Sequence, residues 1–249
     1  PRKTILTAWI PFLVRARYGL LKMDNRFLGI LGAFQHADSF FPSGATSMSG
    51  GLEALVADGL AFSGKDVESF LTGQLRCRWT SFERPGLVFA IRHFSDPTAL
   101  AEVDRQLHAQ SLAAEGRNGS VRTGRALLRV HADMKTDGAA EYQELIKAGV
   151  ARGHNSVVQG LVWGKLGIAE NIGELASAHA FSVGLLSASI RLGLVGHTEA
   201  QSILTRVHEV ILTSTRQPCL SVENISSFSP QQEIGLMRHE KFSSRLFFN

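Results

Sequence analysis

Two cysteines, Cys77 and Cys219, are all that the 249 residues hold. Neither sits in a CxxC pair, which excludes a disulfide framework and a cysteine-built zinc site and leads us to expect a reducing compartment. No apolar run reaches the roughly 18 residues of a membrane span; the run at 180–190 is stopped by Arg191. The stretch 5–14 is apolar but short, is broken by Pro11 and is closed by Arg15 and Arg17 with no small-residue cleavage site, so it does not match a secretory leader. A cytoplasmic, membrane-free protein is the expectation. Strand signals are also missing, since no alternating β-branched run is bounded by hairpin turns.

Catalytic signatures are as scarce. The nine histidines form no HxH, HxxH or HExxH pair. No GxSxG elbow surrounds a serine, and the Gly-rich stretch 44–51 lacks the Gly-Lys-Ser/Thr of a phosphate loop. His36 with a serine such as Ser39, Ser43, Ser47 or Ser49 is the only local hint of a hydrolase. Catalysis is therefore not expected. No cofactor and no resident metal site is expected either.

The net charge of +4 is concentrated at one end. Arg2, Lys3, Arg15, Arg17, Lys22 and Arg26 face Asp24 alone, and the remainder is close to neutral. A nucleic-acid-binding domain would carry its basic stripe on the folded part, so nucleic acid is not an expected partner. Residues 1–26 read as a basic N-terminal extension, for which attachment to a membrane surface is a second alternative function.

Helical periodicity fills the rest. Phe27, Leu28, Ile30, Leu31 and Phe34 recur at helical spacing behind a cap at Asp24 or Asn25. Ser63-x-x-Asp66 and Thr198-x-x-Gln201 read as capping boxes, and Asp96-Pro97 as an N-cap followed by proline in the first turn. Pro85 is expected to start a fresh helix. Further helices are expected over about 51–58, 120–133, 141–152, 156–166 and 171–192. The fold class is all-α, a single compact multi-helix bundle over 27–225. Residues 226–249 read as a serine-rich linker and a C-terminal docking tail ending in exposed apolar side chains.

Four stretches carry a resemblance. Ala37-Asp38-Ser39-Phe40-Phe41-Pro42-Ser43-Gly44, followed by Ser49-Gly50-Gly51-Leu52-Glu53, is similar to the opening signature of the urease accessory family UreF. The helix 120–129, reading SVRTGRALLR, resembles that family's S-x-x-x-GRALLR. The segment 187–196 resembles its SA-x-x-RLG-x-x-G. Met237-Arg238-His239-Glu240 with Ser244-Arg245-Leu246-Phe247 resembles its closing MRHE…SRLF tail. Ala45, Thr46, Met48 and Ser243 depart from the family pattern.

The resemblance implies an all-α homodimer without chemistry of its own. Such a protein bridges UreD (UreH in some organisms) and the GTPase UreG in the complex that delivers nickel to the urease apoprotein. It also implies modulation of GTP hydrolysis by UreG, and a passage for nickel as cargo. On that basis Arg238, His239, Glu240, Arg245, Leu246 and Phe247 are the expected UreD-binding residues. Ser49, Glu53, Arg122, Arg125 and Arg129 are the expected UreG-side residues, the three arginines sharing one helix face.

Overall fold

The computed structural model describes residues 26–38, 40–44, 48–61 and 63–247. The N-terminal extension through residue 25 lies outside them, as do Ser39, Ala45, Thr46 and Ser47. Among the described residues the chain is all-α, with no strand. Helix α1 covers 26–37. It is followed by α2 (Leu52–Ala57), α3 (Gly64–Gly73), a π-helical segment (Gln74–Glu83), α4 (Arg84–Arg92), α5 (Pro97–Gln110) and α6 (Ala114–Asp133). Next come α7 (Ala139–Lys147), α8 (Asn155–Lys165), α9 (Glu170–Arg191), α10 (His197–Arg216), a 3-10 turn (Val222–Asn224) and α11 (Pro230–His239).

Local signals set several helix starts. The Ser63–Asp66 box forms in both directions, with Ser63 N–H donating to Asp66 at 3.0 Å and Asp66 N–H to Ser63 Oγ at 3.4 Å. Asp96 caps α5 by accepting from Ala99 N–H at 3.0 Å. Two expectations need correcting. Thr198 caps nothing, because α10 already begins at His197 behind Gly196. Pro85 does not open a separate helix, because the chain is continuously helical from 64 to 92.

The π segment explains how proline fits. Its bonds run from residue i to i−5, and the wider turn tolerates the missing donor and the ring of Pro85 at the junction. The side chains follow the same spacing. Thr80 Oγ1 donates to Leu75 O at 2.7 Å, and Arg78 reaches Glu83, five residues on, at 3.2 Å.

Two apolar clusters make the interior. One gathers Leu87, Leu100, Leu107, Leu128, Tyr142, Val158 and Trp163 from α4 to α8. The other gathers Leu52, Val67, Leu71, Leu75, Trp79, Ile203 and Val207 from α2, α3, the π segment and α10, with Leu186 from α9. Helices α4 and α8 touch almost backbone to backbone. A Cβ on Gly160 would lie 2.4 Å from Ala90 Cβ and 2.5 Å from Leu87 O.

Buried ions tie the clusters together. Arg84 Nε donates to Glu174 of α9 at 2.6 Å, while its other nitrogens reach the carbonyls of Ser214, Thr215 and Gln217 at 2.9–3.0 Å. A guanidinium thus satisfies the orphan carbonyls at the α10 C-terminus, where the helix dipole favours positive charge. Asp104 of α5, fully buried, accepts N–H groups of Arg152, Gly153 and His154 at 2.6–2.8 Å and so caps α8 from outside it. Tyr142 OH donates to the same carboxylate at 3.2 Å, and burial followed by that charge pushes its own pKa far upward.

Candidate functional site

Residues 226–247 do not form a loose tail. Pro230 opens α11 at its first position, which suits a residue without an N–H. Gln232, Glu233, Gly235, Leu236 and His239 then turn inward. Buried Glu233 meets Arg78 Nη1 at 3.0 Å and accepts Ala113 N–H at 3.0 Å. Arg78 also bonds Glu83 and Ser227 and lies over the Phe82 ring at 4.0 Å. Ser229 Oγ donates to Gln74 at 2.9 Å. Alongside, α11 lies directly on the start of α2. A Cβ on Gly235 would fall 2.8 Å from Gly51 O, and Gly51 itself has φ +89°, so both positions require glycine.

The centre of the site is His239, fully buried between two carboxylates. Its Nε2 lies 2.7 Å from Glu53 Oε2 of α2, and its Nδ1 lies 2.7 Å from Glu115 Oε1 of α6. Glu53 goes further, accepting Leu246 N–H at 2.8 Å and Phe247 N–H at 3.2 Å. Arg245 Nη1 approaches Glu115 at 3.4 Å, and Glu115 N–H donates to Glu240 at 2.9 Å. Phe247, 1% exposed, sits under the Arg191 guanidinium at 4.2 Å. Three of the four stretches that carried the resemblance therefore send residues to one clamp, and the remaining one shares helix α6 with Glu115. Glu53 comes from the first, α6 bears the second, Arg191 comes from the third, and His239, Glu240, Arg245 and Phe247 come from the last.

The expected site residues divide between the interior and the surface. His239 and Phe247 are interior and form no rim. Ser49 is buried. Glu53, expected on the UreG side, is bonded to the C-terminal segment. The outward surface of α11 and its continuation consists of Ile234, Met237, Arg238, Glu240, Arg245 and Leu246, with Arg238 paired to Asp58. Arg122, Arg125 and Arg129 are exposed on α6, and Arg125 Nε donates to Arg152 O at 2.9 Å. Sequence reasoning missed Glu115, Arg78 and Glu233, because partners more than a hundred residues apart leave no local spacing to read.

His36 is not poised as a base. Its Nδ1 must donate to Gly32 O at 2.6 Å, leaving Nε2 to accept from His131 Nε2–H at 2.8 Å. Thr136 Oγ1 then donates to His131 Nδ1 at 2.9 Å. Burial lowers both pKa values, that of His131 to about 4 with help from His36. The exposed side of α1 is apolar, with Phe27, Leu28, Leu31 and Phe34 each more than half exposed.

Beneath α11 lies a cavity of about 180 Å³, walled by Trp79, Ser120, Thr123, Gln159, Ser177 and Leu236 among others. Its polar lining is neutral apart from Arg78 and Glu83, which bond each other. Among the described residues no group of three or more His, Cys, Asp or Glu side chains is placed to hold a metal ion. Nor is any helix among them long and apolar enough to cross a membrane.

Known proteins are similar to this chain over most of its length. A family model for UreF matches residues 62–208. The urease accessory protein UreF of Trichodesmium erythraeum is 31% identical over 226 residues, covering 88% of this chain and 96% of that protein. The UreF of Bacillus sp. strain TB-90 is 29% identical, covering 88% and 99%. That of Lachnoclostridium phytofermentans is 27% identical, covering 91% and 100%. On this similarity, spanning nearly the whole of each relative, the chain belongs to the UreF family of urease accessory proteins.

Proposed function

We propose that the chain is a non-catalytic scaffold of urease maturation, bridging UreD (UreH) and the GTPase UreG in a dimer-based complex that loads nickel into the urease apoprotein. The observation that carries this reading is the clamp around His239. It fixes α11 and residues 240–247 on the body, so that one stable outer face is presented there. That face combines apolar Ile234, Met237 and Leu246, about half exposed each, with charged Arg238 and Glu240. An apolar centre with a charged rim suits a protein partner. We assign it to UreD, and we keep the arginines of α6 as the UreG side, where they also bear on GTP hydrolysis.

The test is co-expression with UreD and UreG from a matched organism, read by size-exclusion chromatography with light scattering. The wild type should give a ternary complex on a dimer of this chain. Met237→Asp with Leu246→Asp should lose UreD while the chain stays folded. Arg125→Glu with Arg129→Glu should keep UreD and lose UreG. Failure of the wild type to bind either partner would overturn the scaffold reading and leave the family assignment standing.

A further inference from the structure

Three pairs of histidines touch among the described residues, and they differ in what their nitrogens do. His36 and His131 spend one nitrogen each on the other, at 2.8 Å, inside the protein. His154 Nε2 and His108 Nδ1 do the same at 3.1 Å, with Ser120 Oγ 3.2 Å from the remaining nitrogen of His154. In both pairs the facing lone pair is already occupied by a proton. The third pair is His179 of α9 and His208 of α10, with ring centroids 5.7 Å apart and planes tilted by 34°. No ring nitrogen of either has a hydrogen-bond partner among the described residues. His179 is half-buried and His208 exposed, so solvent reaches the pair.

The backbone holds these rings at one level. Helices α9 and α10 are joined by the short turn 192–196, with Gly193 left-handed at φ +72°, and therefore run antiparallel. His179 and His208 are nearly equidistant in sequence from Leu194 within that turn. The interface beneath them is packed with Leu185, Leu186, Ile203, Leu204 and Val207, so neither helix needs to move to bring the rings together.

We infer that His179 and His208 form an interhelical two-histidine chelate for a first-row divalent ion of the nickel, copper or zinc type. An ion about 2.1 Å from each nitrogen stands about 3.2 Å from each ring centre, which puts two chelating rings about 4.5–5.6 Å apart for angles of 90–120° at the metal. The observed 5.7 Å lies just beyond the wide end of that range, and a small side-chain rotation closes the difference. Imidazole selects this group of metals over magnesium and calcium, which take oxygen ligands. With two protein donors, the remaining coordination positions belong to water, so the ion exchanges readily. The site is independent of the partner assignments above.

The experiment is isothermal titration of the full-length, tag-free chain with nickel chloride at pH 7.5. The wild type should bind with one site lost, or weakened at least tenfold, in both His179→Gln and His208→Gln. His197→Gln, on the same helix α10, should leave binding unchanged. Unaltered binding in the two variants, or no saturable binding in the wild type, overturns the inference. Should either variant misfold, cobalt(II) added to isotope-labelled wild type decides. Paramagnetic shifts should be largest at amides near 179 on α9 and near 208 on α10, and shifts centred elsewhere would refute the site.

Discussion

Replacing Glu53 by glutamine keeps the shape of the clamp and removes its charge. The carboxylate now accepts three hydrogens, from His239 Nε2, Leu246 N and Phe247 N, at 2.7, 2.8 and 3.2 Å. An amide has one oxygen, so whichever way it sits its NH2 group faces a donor. Hydrogen bonds to a charged group contribute about 1.5–3 kcal/mol each, and a buried donor left unmet costs about 1–3 kcal/mol. Glu53 is 12% exposed, and water relieves part of this. The chain has an alternative, which is to release residues 246–247 and give up the burial of Phe247, itself about 1.5–3 kcal/mol. Either route predicts a loss of about 2–3 kcal/mol, or about 4–12 °C in Tm for a domain of this size. Urea unfolding measures the total, and hydrogen exchange at Leu246 and Phe247 distinguishes release from strain. Arg238→Ala, which breaks an exposed pair with Asp58, should cost under about 0.5 kcal/mol and serves as the control. An unfolding midpoint within that margin for Glu53→Gln, with both amides still protected, would refute the clamp as the fastening of the C-terminus.

Other outcomes follow from the same geometry. His131 and His154 both have pKa values near 4 in the fold and about 6.5 when unfolded, so the unfolded chain binds protons that the folded one refuses. Their contribution is intact above pH 6.5, declines as pH falls towards 4, and levels off below. Urea midpoints should drop across that window, less steeply in His131→Asn. Gly160→Ala places a methyl 2.4 Å from Ala90 Cβ and should destabilise by about 1–3 kcal/mol, read by thermal unfolding. Asp104→Asn leaves a backbone N–H of the α8 start facing an amide donor and should cost about 3 kcal/mol in urea unfolding. Truncation after Ser229 should yield insoluble or molten protein by near-UV circular dichroism, because it strips Glu233 from buried Arg78 and removes buried Leu236, His239 and Phe247.

What could be read from the sequence was what is settled within a few residues. The Ser63–Asp66 box and the Asp96 cap are bonds three residues apart, and spacing alone announces them. Thr198-x-x-Gln201 has the same spelling but fails, since the chain is already helical at His197 and a cap needs extended backbone. Pro85 misleads for a related reason. Its rule assumes i to i−4 bonding, and the π segment changes the count. Helix α6 begins at Ala114, well before residue 120, because Ala113 N–H is taken by Glu233 and Glu115 N–H by Glu240. Those acceptors arrive from α11 and its C-terminal edge, and nothing near residue 114 encodes them.

The C-terminal stretch shows why motif and role separate. Its apolar and basic residues read as a docking tail, since serines precede them and no core pattern is obvious. The fold instead divides the motif by residue. His239 and Phe247 are consumed inside, while Met237, Arg238 and Leu246 remain outside. A residue held inside specifies where the outer ones stand, and losing it disturbs every contact that α11 makes. Deleting the whole segment therefore confounds folding with docking. Only substitutions at outward positions such as Met237 and Leu246 test the partner surface, and only those at Glu53 and His239 test the clamp that presents it. If the two classes of variant lose partners in the same way while only the second loses stability, presentation by the clamp and contact by the outer face are both required.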